Sequence, residues 1–118
     1  MTESGKSHFP TLLWLALLLS TPIAVCSEQS IEAGRAIAAN RNQGNCFSCH
    51  YVEGAEMTGN TGPALIQMQA RYPRREVLRA QIADPRVGNP NTVMPPYGAH
   101  GILSEQEIDQ VVDFLLSL

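Results

Sequence analysis

The chain has 118 residues, of which 44% are hydrophobic, 16% charged and 6% aromatic, and its 8 basic and 11 acidic side chains give a formal net charge of −3. This length allows one small domain, and the ordinary apolar fraction excludes fibrous, collagenous and acidic disordered proteins. The charge balance argues against nucleic-acid binding, which needs clustered basic residues.

An apolar run near the N-terminus predicts export. Leu12–Leu19 reads LLWLALLL, which is shorter than the roughly 18 residues that a membrane-spanning helix needs. We therefore interpret residues 1–26 as a secretory signal peptide, cleaved after Cys26, and residues 27–118 as the mature domain. A lipoprotein processed before Cys26 is the less favoured alternative, because Val25 is bulky for the position before a lipidated cysteine. We expect a periplasmic protein that is not an integral membrane protein.

Two downstream cysteines, Cys46 and Cys49, are followed directly by His50 in the string CFSCH. This is the attachment motif of c-type haem. Two thiols at this spacing can add to the two vinyl groups on one edge of the porphyrin, and the next residue places an imidazole beneath the iron. Covalent haem attachment in bacteria follows export, so the signal peptide supports the same interpretation. We expect one covalently bound haem c (iron), with His50 as an axial ligand.

Three other interpretations of these residues are weaker. A thioredoxin-like redox pair would need a strand-helix-strand setting, and no alternating β-branched run precedes Cys46. A zinc site that also recruits His100 is disfavoured, because the consecutive Cys49 and His50 can hardly both reach one tetrahedral ion. A simple disulfide leaves His50 without a role.

The second axial ligand has four downstream candidates, Met57, Met68, Met94 and His100. Met57 is too close to His50 in sequence, and Met68 lies in a helix-compatible apolar stretch where methionine usually fills the core. Met94 lies in the loop Asn89–Gly98, which three prolines stiffen and keep from forming a helix. Met94 is therefore the predicted ligand, and His100 is interpreted as a solvent-facing loop residue.

The rest of the mature chain reads as helices and loops without a convincing strand pair. Helical spacing of small and apolar residues predicts a first helix from Ser30 to about Ala39. A second helix is predicted from about Pro73 to Ala83, with Pro73 in its first turn and Asp84-Pro85 ending it. The glycine-containing stretch Tyr51–Gly62 is predicted to be loop.

The last predicted helix has the clearest boundaries. Ser104 and Glu107 match a capping box, and Leu103 and Ile108 match the hydrophobic staple beside it. The apolar stripe of this helix consists of Ile108, Val111, Val112 and Leu115.

These features together resemble the all-α, class I cytochrome c fold over the whole mature chain, with N- and C-terminal helices crossing around one covalently attached haem. The resemblance implies that the crossing helices meet closely, with Gly34 against the Phe114 region. It also implies that the carbonyl of Pro63 accepts a hydrogen bond from His50 and so fixes the tautomer that binds iron. The fold indicates an electron carrier or redox subunit without choosing between them.

A narrower resemblance is to SoxX, the small monohaem subunit of the SoxAX cytochromes of bacterial sulfur oxidation. It is carried by the runs Asn89–Gly98 and His100–Leu116, and by the haem and Gly-Pro segments Gly44–His50 and Gly59–Leu65. The resemblance implies a heterodimer with a SoxA-like haem subunit, which couples thiosulfate oxidatively to a cysteine of the carrier SoxYZ. The resemblance also implies a downstream electron acceptor, which would take the electrons from the haem of this protein.

Whether the chain belongs to an enzyme stays open from the sequence alone. The resemblance implies the non-catalytic, electron-transfer subunit of the L-cysteine S-thiosulfotransferase SoxAX, with no substrate site on this chain. The alternative is a free class I cytochrome c that serves another periplasmic redox chain. Catalysis on this chain's own haem would need an open iron position, which Met94 would occupy. The basic cluster Arg71, Arg74, Arg75 and Arg79 is interpreted as a solvated helix face, with an acidic partner or the haem propionates as alternatives.

Overall fold

The computed structural model describes residues 1–2 and 23–118, and for residues 23–26 it describes the backbone only. The predicted apolar run Leu12–Leu19 lies outside the described residues. The described part contains helices and turns and no strand, which confirms the all-α prediction. Its helices are α1 (Ile23–Ala39), α2 (Met68–Arg71), α3 (Arg75–Ala83) and α4 (Glu105–Leu116), with 3₁₀ turns at Cys46–Ser48 and Pro85–Val87.

Helix α1 is longer than predicted. It begins at Ile23 instead of Ser30, because no glycine or proline interrupts the residues between these two positions and nothing there ends a helix. The helix therefore runs through the predicted cleavage position after Cys26, and that position stays a prediction. Within the described residues, no helix is both long and apolar enough to cross a membrane.

Helices α1 and α4 make the most extensive contact between elements of the described chain. Gly34 lies at the crossing, where an added Cβ would stand 1.9 Å from the carbonyl oxygen of Gln110 and 3.0 Å from Cβ of Phe114. The implied approach of Gly34 to the Phe114 region is therefore present. Ser30 of α1 donates a hydrogen bond to Asp113 of α4 beside the crossing. This bond opposes sliding of one helix along the other.

The start of α4 has the predicted capping geometry. The backbone N–H of Glu107 donates to Oγ of Ser104 at 3.3 Å, and the backbone N–H of Ser104 donates to the Glu107 carboxylate at 2.8 Å. The hydrogen bond from the Ser104 backbone lowers the pKa of Glu107. Leu103 and Ile108, the two staple residues, are both buried. The capping box and the staple are thus confirmed.

Helix α3 begins later than predicted. Arg74 is its N-cap and has extended backbone angles (φ −109°, ψ 113°), so Pro73 lies before the cap and outside the first turn. The prediction for Pro73 was wrong because the chain leaves Tyr72 in a non-helical conformation and needs Arg74 to redirect it. The predicted end at Asp84-Pro85 is confirmed: the helix stops at Ala83.

Two arginines of the basic cluster connect α3 to α4. Arg75 pairs with Asp113 and lies 3.5 Å from a carboxylate oxygen of Asp109, and Nε of Arg79 lies 2.8 Å from the same oxygen. Arg79 also pairs with Glu105. The interpretation of the cluster as a solvated face was therefore wrong for Arg75 and Arg79, because their partners lie on α4, far away in sequence.

The loop Tyr51–Gly62 contains neither helix nor strand, as predicted. The backbone N–H of Gly59 donates to the carbonyl oxygen of Phe47 at 2.8 Å and holds the loop against the attachment motif. The core is built from α1, α4 and the segments between them. Its largest fully buried side chains are Phe114, Ile108, Val52, Val111, Val112 and Pro85.

The close crossing at Gly34 makes a quantitative prediction. Gly34→Ala should lower the free energy of unfolding by about 1–3 kcal/mol, although alanine is the better helix former, because the helices must separate to admit the methyl group. Urea denaturation of the holoprotein measures the change. Gly88→Ala is the control, since its Cβ would meet nothing closer than 3.7 Å, and it should shift stability by no more than about 1 kcal/mol. Equal losses in the two variants would contradict the interpretation.

Candidate functional site

The haem attachment motif forms one hydrogen-bonded turn. Asn45 adopts the left-handed conformation (φ 50°, ψ 30°), which asparagine tolerates better than most residues, and the 3₁₀ turn Cys46–Ser48 follows. The backbone N–H groups of Cys49 and His50 donate to the carbonyl oxygen of Cys46, at 3.2 and 3.0 Å. Cys46 is half-buried, Cys49 is exposed, and both are free thiols. The turn therefore holds two thiols and an imidazole in one short segment.

The ring of His50 is oriented by the Gly-Pro segment. Its Nδ1 lies 2.6 Å from the carbonyl oxygen of Pro63. Because a carbonyl oxygen only accepts hydrogen bonds, Nδ1 carries the proton and Nε2 keeps a free lone pair. Gly62 lies against the ring, and an added Cβ would stand 2.4–2.8 Å from Cε1, Nδ1 and Nε2 of His50. Glycine is the residue that fits beside the ring in this orientation.

A cavity of about 570 Å³ opens beside the attachment turn. Its wall brings together all the residues that the sequence assigned to the haem site: Cys46, Cys49, His50, Pro63 and Met94. Much of the remaining wall is apolar and belongs to the core, with contributions from Leu65, Leu78, Ile82, Val111 and Leu115. The volume lies within the range of about 300–1,000 Å³ that is usual for cofactor sites.

These residues fit a covalently bound haem. Two thiols of one turn, an imidazole with a free Nε2 and a thioether line an apolar cavity, and this donor set suits haem iron. The competing interpretations fit less well. No group of three or more His, Cys, Asp or Glu side chains in the described part of the chain is placed to hold a metal ion, and Cys46 and Cys49 do not form a disulfide.

Two methionine side chains line the cavity. Met94 is half-buried, and its backbone N–H donates to Oγ1 of Thr92 at 3.1 Å. Met68 is buried in the core, as the sequence suggested, but it also lines the cavity. Its sulfur accepts a hydrogen bond from Nη1 of Arg71 at 3.4 Å. Since that contact engages the Met68 sulfur, Met94 is the better placed thioether for an iron ion.

The two other candidate ligands lie away from the cavity wall. Met57 is exposed and borders a separate surface groove. His100 is exposed, and its Nε2 lies 3.2 Å from Nη1 of Arg86, whose Nε is in turn 2.8 Å from Asp84. His100 is therefore a surface residue, as the sequence suggested, and it lies in a polar cluster with Arg86 and Asp84.

Tyr97 is the site residue that the sequence analysis missed. It is buried and lines the cavity, and its hydroxyl donates to the carbonyl oxygen of Gly44 at 2.5 Å. Its place in the same proline-rich loop as Met94 was visible in the sequence. A tyrosine in a loop carries no pattern that predicts a buried partner more than fifty residues away.

Burial also changes the acidity of this part of the site. It raises the pKa of the Cys46 thiol to about 11, against an opposing hydrogen bond with Tyr97. Burial raises the pKa of Tyr97 as well, and the neighbouring Cys46 adds to that shift. Both groups are therefore neutral at pH 7.

The comparisons with known proteins agree with this geometry. Residues 31–118 match a family model described as Cytochrome c. No curated protein matches the chain. The matched region covers most of the chain and includes the attachment turn, the Gly-Pro segment, the Met94 loop and α4. The chain belongs to the cytochrome c family and binds covalently attached haem c as an electron-transfer protein.

Proposed function

We propose that this chain is an exported monohaem cytochrome in which Cys46 and Cys49 attach the haem while His50 and Met94 bind its iron. The observation that carries the proposal is the convergence of these four side chains on one apolar cavity, with His50 held by Pro63. The haem supplies one-electron chemistry, because its iron alternates between the ferric and ferrous states.

The protein's own residues would then set the properties of the iron. The Pro63 carbonyl fixes the His50 ring and increases the basicity of its other nitrogen. The thioether of Met94 is a soft ligand that favours the ferrous state. The apolar wall excludes water and disfavours the extra charge of the ferric state. An iron ion held by both His50 and Met94 would offer no open position to a substrate, which suits a chain that relays electrons.

We further propose that the chain is the SoxX-like subunit of a periplasmic SoxAX complex, with residues 1–26 removed as a signal peptide and 27–118 as the mature domain. The resemblance of Asn89–Gly98 and His100–Leu116 to SoxX supports this assignment. The partner would be a SoxA-like haem subunit that carries the chemistry on thiosulfate and the SoxYZ cysteine. The second candidate is a free electron carrier of another redox chain.

The mouth of the cavity favours a subunit over a free carrier. Val93 and Ile102 line the cavity and are exposed, Val93 by 84%. Residues 23–118 contain no lysine, so this part of the chain offers no lysine ring to steer a short-lived encounter. Exposed apolar side chains beside a redox site suit a lasting interface with another subunit.

Isolation from the native periplasm without tags tests the assignment. A second haem polypeptide should accompany the chain in constant ratio, detected by haem staining of denaturing gels. The complex should turn over thiosulfate with the carrier protein, and the separated chain should be inert towards thiosulfate. A lone monomer would favour the free carrier. Turnover by the separated chain at the rate of the complex would overturn the proposed division of labour.

The apolar mouth predicts a site-specific effect on assembly. Val93→Asp should weaken association with the partner subunit by about ten-fold or more, because the new charge must lose its water at the interface. Val87→Asp is the matched control: Val87 is 87% exposed but does not line the cavity. Affinity can be measured by titrating one purified subunit into the other. Equal weakening by both variants, or none by Val93→Asp, would contradict the proposed interface.

The ligand assignment predicts a spectroscopic change. Ferric wild-type protein should show the weak near-red charge-transfer band of thioether-ligated haem iron. Met94→Ala should abolish the band and lower the reduction potential, within the span of about 0.8 V over which axial ligands set haem potentials. Met68→Leu is the control and should retain the band. Loss of the band in Met68→Leu and its retention in Met94→Ala would show that Met68 is the ligand.

The packing beside His50 predicts a sensitive position at Gly62. Gly62→Ala should turn the imidazole away from Pro63, because the added Cβ would overlap the ring. We expect a loss of about 1–3 kcal/mol in the free energy of unfolding and a mixed-spin ferric spectrum. Absorption spectra and urea denaturation of the holoprotein measure both effects. An unchanged spectrum would contradict the role assigned to the His50 orientation.

A further inference from the structure

We propose that Tyr97 is a positioning residue for the sixth haem ligand. Its buried hydroxyl connects the Met94 loop to the attachment segment and so opposes exchange of the Met94 thioether for another ligand. This inference rests on the proposed ligation by Met94 and goes beyond it, because it identifies what holds that ligand in place.

The acceptor of the Tyr97 hydrogen bond is itself fixed. The backbone N–H of Gly44 donates to the carbonyl oxygen of Ile37, the third-last residue of α1, at 3.1 Å. A Cβ added at Gly44 would stand 2.8 Å from that same oxygen and 3.3 Å from Sγ of Cys46. Gly44 is therefore packed against α1 and the first haem-attaching cysteine. The hydrogen bond to Gly44 therefore fixes the Tyr97 hydroxyl in position relative to the haem-attaching cysteine.

The Met94 loop makes other hydrogen bonds, but none of those described next reaches the attachment segment. The Met94 backbone N–H binds Thr92 within the loop. The N–H groups of Gly98 and Ala99 both donate to the carbonyl oxygen of Ala83, at 3.0 Å, and so connect the loop to the end of α3. Among the described residues, the Tyr97 hydroxyl is the only group whose hydrogen bonds join residues 89–103 to residues 40–50.

The position of Tyr97 transmits this restraint to Met94. Only Pro95 and Pro96 separate the two residues, and the fixed φ angles of the prolines make the connection stiff. When the thioether leaves the iron, the loop has to move, and movement stretches or breaks the buried hydrogen bond. Its free energy therefore adds to the cost of ligand exchange. Removing the hydroxyl should lower that cost while the apolar ring still fills its space.

The test is a titration of ferric holoprotein with imidazole, followed at the near-red band. Tyr97→Phe should bind imidazole about five-fold to ten-fold more tightly than wild type, the range that one buried hydrogen bond supports. Tyr51→Phe is the matched control. Tyr51 is exposed and lies outside the cavity wall, so the loss of its hydroxyl should leave the imidazole affinity unchanged.

Urea denaturation of the same proteins separates positioning from general stability. If Tyr97→Phe is less stable but binds imidazole with wild-type affinity, the residue is merely structural and the proposal is overturned. Equal tightening in Tyr51→Phe would overturn it too. A wild-type protein without the near-red band would instead refute ligation by Met94, and with it the function proposed for that residue.

A second variant covers the case in which Tyr97→Phe yields no holoprotein. Thr92→Val leaves Tyr97 intact and removes the acceptor of the Met94 backbone N–H at the other end of the same short segment. If restraint of the loop controls exchange, Thr92→Val should also tighten imidazole binding, by a smaller factor of about two to five, because water can replace this half-buried acceptor. Unchanged binding in Thr92→Val would then overturn the proposal.

Discussion

The close crossing of α1 and α4 is the constraint on which the site depends. A small domain that encloses a large cofactor has little apolar core of its own, so its terminal helices must pack tightly. Gly34 permits this, because its missing Cβ leaves room for the backbone of Gln110. The crossing holds the end of α1 beside α4, and the attachment turn begins a few residues after α1 ends. Without that contact, nothing would fix the attachment turn, which follows α1, relative to the part of the cavity wall that α4 provides.

The two halves of the site are fixed in different ways. The histidine half is local: the attachment turn closes on the Cys46 carbonyl, and Pro63 orients the imidazole from the end of the adjoining loop. The methionine half depends on distant contacts, with Ala83 at one point and Gly44 at another. Distant contacts open more readily than a local turn, because each must oppose the entropy of a longer segment. In the proposed coordination, the strength with which Met94 is held therefore depends on these distant contacts, and a change in one of them would alter it.

Much of this organisation could be predicted from the sequence, and the rest could not, for physical reasons. Local patterns were sufficient for the capping box at Ser104 and for the end of α3, since both depend on neighbouring residues. The start of α1 and the position of Pro73 were wrong, because each depends on how the chain enters or leaves an element. The ion pairs of Arg75 and the hydrogen bond of Tyr97 involve residues far away in sequence, and no local pattern encodes such partners.

The surface around the cavity bears on how electrons would enter and leave. Two arginines of the basic cluster are engaged with acidic residues of α4, which removes them as a steering patch for an acidic partner. The mouth itself carries the exposed Val93 and Ile102. Long-range attraction would contribute little to docking on such a face, whereas burial of apolar area would favour a long-lived contact. A long-lived contact is a disadvantage for a carrier that must dissociate after each transfer. It would be an advantage for the proposed subunit, whose haem would receive electrons from the same partner in every turnover, and this asymmetry is the physical reason for proposing a heterodimer.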